Sequence, residues 1–261
     1  MSKSFLSKLG HHSLLFGPAL FALATAVFFQ THNYYLITGD EPHYLLITES
    51  ILSDGDVWLT NNQQATNLVT QAVPYSLVNM HSINGASLHG RGLGLLLIVP
   101  YALGGIWGSK MALAFGLTAL FTHLCYHMAR QICGSAKWAL VAAVTFTFGL
   151  PFLAGSSQIY PDLLAGWLIL HAVWLLYPNE NGKRPLSLPA ILLFSLETAF
   201  LPWLHVRLLA PALILALFLW PLVGMPRANG RNSNPYCRSY SSTPSPLPYW
   251  PAITYAPLAM R

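Results

Sequence analysis

Apolar residues in this chain are gathered into long runs, and most charged positions lie outside them. The runs cover residues 13–37, 92–129, 138–153, 159–177, 188–204 and 208–224. A helix needs roughly 20 apolar residues to span the ~30 Å hydrocarbon layer of a bilayer. Runs of this length are not period-2 strands, and a helix satisfies its own backbone polar groups in lipid. The pattern predicts an all-α, polytopic transmembrane helical bundle.

Composition supports this class. Charged residues make up 8% of the chain and hydrophobic residues 54%, whereas a typical soluble domain is about 25% charged. The net charge of +5 rests on 13 basic residues, most of which lie in connecting segments and near the two ends, while Lys110 lies within the run 92–129. No basic stripe interleaved with aromatic residues is present, so nucleic acid is not a predicted partner. The predicted partner is the lipid bilayer.

Basic residues also predict an orientation for a multi-pass protein of the plasma (inner) membrane. Lys3 and Lys8 precede the first run, which places the N-terminus in the cytoplasm and the loop 38–91 outside. If Arg130 and Lys137 are cytoplasmic, the run 92–129 crosses the membrane an odd number of times. Two crossings there would put both residues outside, and the sequence leaves this number open.

The first loop, residues 38–91, is the most polar part of the predicted membrane domain, residues 1–226. It holds five of the eight acidic residues: Asp40, Glu41, Glu49, Asp54 and Asp56. Residues 41–53 are predicted to form an amphipathic helix at the membrane surface, ended by an Asp-Gly-Asp turn at 54–56. Residues 227–261, rich in Pro, Ser, Asn and Arg, are predicted to be a disordered tail.

The strongest local candidate for chemistry is Gly39-Asp40-Glu41-Pro42-His43-Tyr44. Two carboxylates and an imidazole can accept a proton from an attacking hydroxyl or bind a divalent cation. The alternative is structural, because Pro42 suits a first helical turn and an acidic residue before it can serve as an N-cap. The residues alone leave both interpretations open.

Four ordered segments resemble the GT-C superfamily of membrane glycosyltransferases, especially bacterial enzymes similar to protein O-mannosyltransferases and lipid A aminoarabinose transferases. The segments are GDEPHYLLITESILSDGDVWLTNN, LHGRGLGLLLIVPYALGG, SSQIYPDLLAG and LPWLHVR, and the resemblance spans residues 36–209. It implies transfer of a hexose or pentose from a polyprenyl-phosphate carrier to an acceptor on the extracytoplasmic side. Members of the superfamily usually continue with further membrane helices, so the resemblance implies an N-terminal portion of such an enzyme, and the tail differs from the expected continuation.

Site residues follow from the resemblance by position. Asp40 would be the catalytic base or a ligand of Mg²⁺ or Mn²⁺, with Glu41 supporting it. The residues that would meet the sugar or its phosphate are His43, His89, Arg91, Tyr160, Asp162, His205 and Arg207. A guanidinium suits phosphate, but Arg207 also fits snorkelling from a helix end. His89 has a structural alternative, and Asp162 also fits stabilisation of a helix dipole.

Other motifs favour structural interpretations. The Asp54-Gly55-Asp56 segment lacks the remaining ligands of a calcium loop, so a turn is predicted. The glycines 90, 92 and 94 follow no strand, so close helix packing is favoured over a dinucleotide site. His123 and His127 have metal-binding spacing without a third ligand, and a structural role is favoured.

Two other classes of function compete with the enzyme. Glu197 lies centrally in an apolar run, and a mid-membrane partner for it would favour a transporter-like protein. The remaining alternative is a non-catalytic membrane protein.

Overall fold

In the computed structural model of this protein, the described residues are 13–32, 37, 39–73, 82–83, 85–177 and 187–224. The predicted tail, the basic residues Lys3 and Lys8, and the positively charged segment at 183–184 lie outside them. A second unit of the chain, Gly224–Arg261, also lies outside them except for its first residue.

The described chain is mostly helical with almost no strand, which confirms the all-α prediction. Its helices are α1 Gly17–Thr31, α2 Glu41–Ser53, α3 Thr60–Gln64, α4 Leu68–Ala72, α5 Gly92–Met111, α6 Thr118–Cys133, α7 Ala136–Thr147, α8 Leu150–Ser156, α9 Pro161–Leu176, α10 Leu188–Leu204 and α11 Leu209–Gly224. A π-helical segment, Ala112–Leu117, joins α5 to α6, and a 3₁₀ turn, Val206–Leu208, precedes α11. Strands β1 Ser82–Ile83 and β2 Ala86–Ser87 form a small antiparallel hairpin in the first loop.

Helix α2 has the predicted bounds, but it is not an amphipathic surface helix. Its first eight residues are all buried, including the polar side chains of Glu41, His43 and Thr48. The reason is tertiary: α2 packs along α5, and α3 and α4 also contact it. The hydroxyl of Thr48 donates to the carbonyl oxygen of Gly94 at 3.1 Å, which ties the two long helices together.

Glycines allow the close approach that the sequence analysis expected. A Cβ on Gly94 would collide with the side chain of Ile47 on α2, and one on Gly92 would press into the backbone at Trp203–Leu204 on α10. Close packing of α5 against two helices is therefore confirmed for these glycines.

Helix α5 is sharply broken at Gly104–Gly105, a feature that the sequence analysis did not predict. Gly104 has φ −148° and ψ 18°, and Gly105 has φ +59° and ψ −144°. The chain bends so strongly that a Cβ on Gly108 would clash with the carbonyl oxygen of Pro100. The stretch thus consists of a short arm, 92–103, and a longer helical arm, 106–133.

The main core lies where α2, α5, α9 and α10 meet. It includes Leu45 and Ile47 of α2, Leu93 and Leu97 of α5, and Phe194 of α10, each at most 2% exposed. On the other side of the bundle, small residues let α1 approach the π-helical segment, with Ala22 and Ala26 packed against Ala114. Helices α6 and α7 pack together across a turn in which Gly134 has φ +65°.

One helical stretch in the described part of the chain, Gly92–Cys133, is long and apolar enough to cross a membrane by length and composition. Five shorter apolar helices of 10–17 residues accompany it: Gly17–Thr31, Ala136–Thr147, Pro161–Leu176, Leu188–Leu204 and Val206–Phe218. Large apolar side chains are also exposed on the bundle, among them Leu103, Leu196 and Leu217 at 84%, 67% and 72%. These features indicate association with a membrane.

Candidate functional site

One end of the bundle gathers the four segments that carry the resemblance. They are the start of α2, the residues before α5, the start of α9 and the segment after α10. Tyr160 packs on Gly39, His89 lies beside Asp40, Gly90 packs on Leu204, and Arg207 pairs with Asp162. The predicted site residues are therefore brought together in space although up to 167 positions separate them in the chain.

Asp40 is placed by a backbone turn that requires glycine. Gly39 has φ +58°, and a Cβ there would clash with the phenol oxygen of Tyr160. Asp40 then takes the N-cap position of α2, but its carboxylate makes no capping hydrogen bond to the helix. The side chain is 42% exposed. The N-cap alternative therefore describes the backbone position of Asp40, while its carboxylate stays available to a ligand.

Glu41 points the other way, into the protein. Its side chain is 3% exposed, and Oε1 accepts hydrogen bonds from Lys110 Nζ at 2.9 Å and from the backbone N–H of Ile159 at 2.8 Å. These contacts tie the first turn of α2 to the longer arm of the broken helix and to the residues before α9. Glu41 therefore positions Asp40 from beneath, and ligands at the surface do not reach its carboxylate.

The divergence of these two carboxylates bears on the expected divalent cation. Mg²⁺ and Mn²⁺ sites take several oxygen ligands directed at one point, whereas Asp40 faces outward and Glu41 is bonded to Lys110. Within the part of the chain that the structure describes, no three His, Cys, Asp or Glu side chains are grouped to hold a metal ion. The described residues do not fit a cation shared by Asp40 and Glu41.

Two imidazoles lie behind the Asp40 carboxylate. His89 Nδ1 is 3.9 Å from Asp40 Oδ2, and its side chain is 9% exposed. The ring of His43 stacks on it with centroids 4.9 Å apart, and the ring of Tyr44 contacts it at 5.2 Å. His43 is completely buried, so it supports His89 and does not itself meet a ligand at the surface.

The start of α9 and the segment after α10 face each other across the same site. Asp162 Oδ1 pairs with an Arg207 Nη atom, and both side chains are more than half exposed. His205 accepts the backbone N–H of Arg207 on its Nδ1 at 3.2 Å, which closes the turn after α10. His205 therefore orients the segment that carries Arg207.

The side chains of Tyr44 and Tyr160 also belong to this cluster, and both phenols are protonated. Burial raises the pKa of Tyr44, and the charges of Asp40 and Asp162 raise it further, while Arg207 opposes them. Burial also raises the pKa of Tyr160, against a lowering contribution from the backbone of Asp40. Both phenols therefore stay protonated at neutral pH.

Two cavities adjoin this cluster. An apolar groove of about 610 Å³ runs between α6, α7, α8 and α9, and its lining includes Phe121, Phe146, Phe152, Tyr160, Asp162 and Leu163. A cleft of about 430 Å³ lies between the loop before α5 and the end of α10, and its lining includes Ser87, His89, Arg91, Pro202, Trp203 and Val206. The two share no lining residue. Each contains one neighbour of Asp40, which is Tyr160 in the groove and His89 in the cleft.

Asp54 and Asp56 take part in the loop structure. Asp54 Oδ2 accepts hydrogen bonds from the side-chain amides of Asn61 and Asn62, at 2.8 and 2.7 Å. Asp56 Oδ1 accepts the hydroxyl of Ser50 and the backbone N–H of Trp58, both at 2.8 Å. The predicted turn at Asp54-Gly55-Asp56 is confirmed.

His123 also makes structural contacts. Its Nδ1 lies 2.8 Å from the carbonyl oxygen of Ala119, one turn earlier on α6, and its ring packs edge-on against Phe16 at 4.9 Å. His127 contacts the ring of Tyr126.

Sequence reasoning missed two buried polar pairs. The sequence shows Lys110 only as a cation within an apolar run, and nothing near His171 in the chain marks that residue. His171 Nδ1 lies 2.6 Å from Oε1 of Glu197, between the middle parts of α9 and α10. The signal available in the sequence was the cost of a lone charge in an apolar segment, which demands an opposite partner. That signal points to the existence of a partner without identifying it.

No protein family, curated protein or solved structure was found to match this chain.

Proposed function

We propose that this chain is a polytopic membrane glycosyltransferase of the GT-C type, which moves a sugar from a polyprenyl-phosphate carrier to a hydroxyl acceptor on the extracytoplasmic side. The observation that carries the proposal is the state of the Asp40 carboxylate. It is exposed and makes no capping bond, while its neighbour Glu41 is buried and tied to Lys110. A carboxylate held in this way is suited to act as a general base.

The reaction follows from the groups around Asp40. The Asp40 carboxylate takes the proton of the acceptor hydroxyl, and the oxygen of that hydroxyl forms a bond to the anomeric carbon of the sugar. The bond between that carbon and the phosphate oxygen breaks, and the polyprenyl phosphate leaves with the electron pair. Negative charge on the phosphate needs cationic stabilisation, and Arg207, which is exposed and paired with Asp162, supplies a cation at this site.

The apolar groove supports a lipid-linked donor. Its walls carry three phenylalanine rings, and one end is formed by Tyr160 and Asp162, next to Asp40. A polyisoprenoid chain is apolar and gains free energy when it leaves water for such a surface. Bound there, its phosphate end would lie close to Arg207.

The break at Gly104–Gly105 supports the proposed topology. The arm 92–103 would be about 18 Å long at 1.5 Å per residue, too short for the ~30 Å hydrocarbon layer. The arm 106–133 is about 42 Å long by the same rule and long enough for one crossing. A single crossing in this stretch keeps the clustered segments outside and Arg130 and Lys137 in the cytoplasm.

The first test is transfer from radiolabelled polyprenyl-phosphate sugars in membranes that contain the full chain, compared with Asp40→Asn and Asp54→Asn. Both variants replace a carboxylate in the same loop by its amide. We expect Asp40→Asn to abolish transfer, because the amide accepts no proton from the acceptor. Asp54→Asn should retain it, because Asp54 bonds to Asn61 and Asn62 and does not face the site.

The controls address insertion and folding. Both variants should be present in the membrane at the wild-type level and show the same resistance to protease. Equal loss of transfer in the two variants, or unchanged transfer in Asp40→Asn, would contradict the assigned base.

A second candidate function has one observation in its favour. Glu197 has a partner in His171, midway along two apolar helices, and such a pair is a feature of proton-coupled transporters. Uptake or proton flux in vesicles that contain the chain, lost in Glu197→Gln and retained in Asp40→Asn, would favour transport over transfer.

A further inference from the structure

The cleft beside His89 is lined by Arg91 and Trp203, among other residues. The proposed binding of the lipid-linked donor uses the apolar groove and not this cleft. Its volume of about 430 Å³ is within the range of small-molecule sites, about 300–1,000 Å³. The two sides of the cleft pack closely together, because Gly90 and Gly92 contact the backbone at Trp203–Leu204 and leave no room for a Cβ. The cleft thus lies where the segment before α5 packs closely against the end of α10.

Two side chains at the rim are available to a ligand. The indole of Trp203 is 57% exposed, and Arg91 is exposed at the N-cap position of α5. Ser87 lies at the other side of the lining. An indole face packs well against the C–H face of a sugar ring, and a guanidinium recognises a carboxylate or phosphate through paired hydrogen bonds.

The cleft also reaches the reacting group. His89 belongs to its lining and lies 3.9 Å from the Asp40 carboxylate. The apolar groove adjoins the same residue through Tyr160, which packs on Gly39, and the two cavities share no lining residue. Two substrates bound in these two cavities would therefore not compete for one surface.

We infer that the cleft is the acceptor site, and that the acceptor is an acidic saccharide whose ring packs on Trp203 and whose acid group binds Arg91. The assignment of the bound saccharide as an acceptor rests on the proposed function, whereas binding of the saccharide to the cleft does not depend on a donor. The alternative role of Trp203 is that of an aromatic anchor at the membrane interface. An anchor does not require Arg91 or a cleft beside it.

Saturation-transfer NMR on the purified full chain in nanodiscs tests the inference, with glucuronate, glucose and cyclohexanecarboxylate as probes. We expect glucuronate to bind most tightly, because it combines the acid group, which glucose lacks, with the ring hydroxyls, which cyclohexanecarboxylate lacks. Arg91→Gln should weaken glucuronate about tenfold, as expected for a lost hydrogen bond to a charged group, and leave glucose unchanged. Trp203→Ala should remove binding of both sugars.

Matched controls come from the predicted opposite side of the membrane. Trp138 is 62% exposed and Arg130 is exposed near the end of α6. Trp138→Ala and Arg130→Gln should leave all three probes unaffected.

Three outcomes would overturn the inference. They are no saccharide binding to the wild type, equal binding in the cleft variants and the controls, or binding of a Ser/Thr-containing peptide that Trp203→Ala removes while sugars fail to bind. The assay contains no donor, so a failure of transfer would leave this result valid. Intact transfer without saccharide binding would reject the assignment of the cleft and leave the proposed function standing.

Discussion

Lys110 Nζ lies 2.9 Å from Glu41 Oε1, and both side chains are excluded from solvent, at 1% and 3% exposure. The two residues are 69 positions apart in the sequence. Glu41 also receives the backbone N–H of Ile159, so the pair joins three parts of the chain directly beneath Asp40. A buried charge is tolerated only when it is paired and hydrogen-bonded, and here that requirement fixes where the exposed carboxylate stands.

Removing one partner of this pair should destabilise the fold strongly. Lys110→Met leaves the Glu41 carboxylate without its ammonium partner, at a cost of about 3–5 kcal/mol in the free energy of unfolding. Lys110→Met combined with Glu41→Gln removes the buried charge altogether and should recover most of that loss. Equilibrium unfolding of the full chain in mixed micelles measures both. Equal stability of the single and double variants would show that the pair does not carry this energy.

Gly39 should tolerate no side chain while Tyr160 keeps its hydroxyl. A Cβ at Gly39 would clash with the phenol oxygen but lie 3.5 Å from the ring carbon that bears it. Gly39→Ala should therefore cost more than the roughly 1–2 kcal/mol of a left-handed backbone, and it should lower transfer by displacing Asp40. Adding Tyr160→Phe should reduce the cost to the backbone contribution alone. A double-mutant cycle by thermal unfolding checks this, and strictly additive effects would contradict the contact.

Asp162 should compete with phosphate for Arg207. Their ion pair is exposed, and exposed pairs are weak enough for a more highly charged anion to displace them. We expect Asp162→Asn to bind farnesyl phosphate about two- to fivefold more tightly, and Arg207→Gln to bind it about tenfold more weakly. Equilibrium dialysis on the purified chain measures both, with Asp54→Asn as the unaffected control. Weaker binding in Asp162→Asn would mean instead that Asp162 holds Arg207 in position.

Loss of the Glu197 charge and loss of its partner His171 should change the free energy of unfolding by different amounts. Glu197 is 5% exposed, and its Oε2 has no hydrogen-bond partner among the described residues. Glu197→Gln keeps an acceptor for His171 Nδ1 and should change the free energy of unfolding by less than about 1 kcal/mol. His171→Leu strands the carboxyl group and should cost about 3 kcal/mol. Similar effects of the two changes on unfolding in micelles would argue against this bond as the source of stability.

Several local features were readable in the sequence because they depend on neighbours in the chain. The bounds of α2 were predicted from Pro42 at its first turn and from the Asp-Gly-Asp segment that ends it, and the structure has the same bounds. The run 188–204 also coincides with a helix. In contrast, the apolar pattern did not predict the break in 92–129, because apolar residues predominate on both sides of it. The adjacent glycines 104 and 105 were the available sign of a kink.

Burial of α2 could not be predicted in the same way. A helix with Glu41, His43 and Thr48 among its apolar residues is typical of a surface position, and the sequence therefore predicted a helix at the membrane surface. The structure buries all three, because Lys110, His89 and the Gly94 carbonyl supply contacts from elsewhere in the chain. Polar side chains become compatible with the interior only when such partners exist, and a single helix does not reveal them.

The sequence by itself determined the helical class, the ends of several helices and the candidate carboxylates, since all of these follow from composition and local spacing. Only the tertiary structure decided that Asp40 is exposed while Glu41 is locked to Lys110, and that Arg207 faces Asp162. The physical reason is that the state of a charged side chain depends on its partner and its burial. Both are set by segments that lie 45 to 118 residues away along the chain.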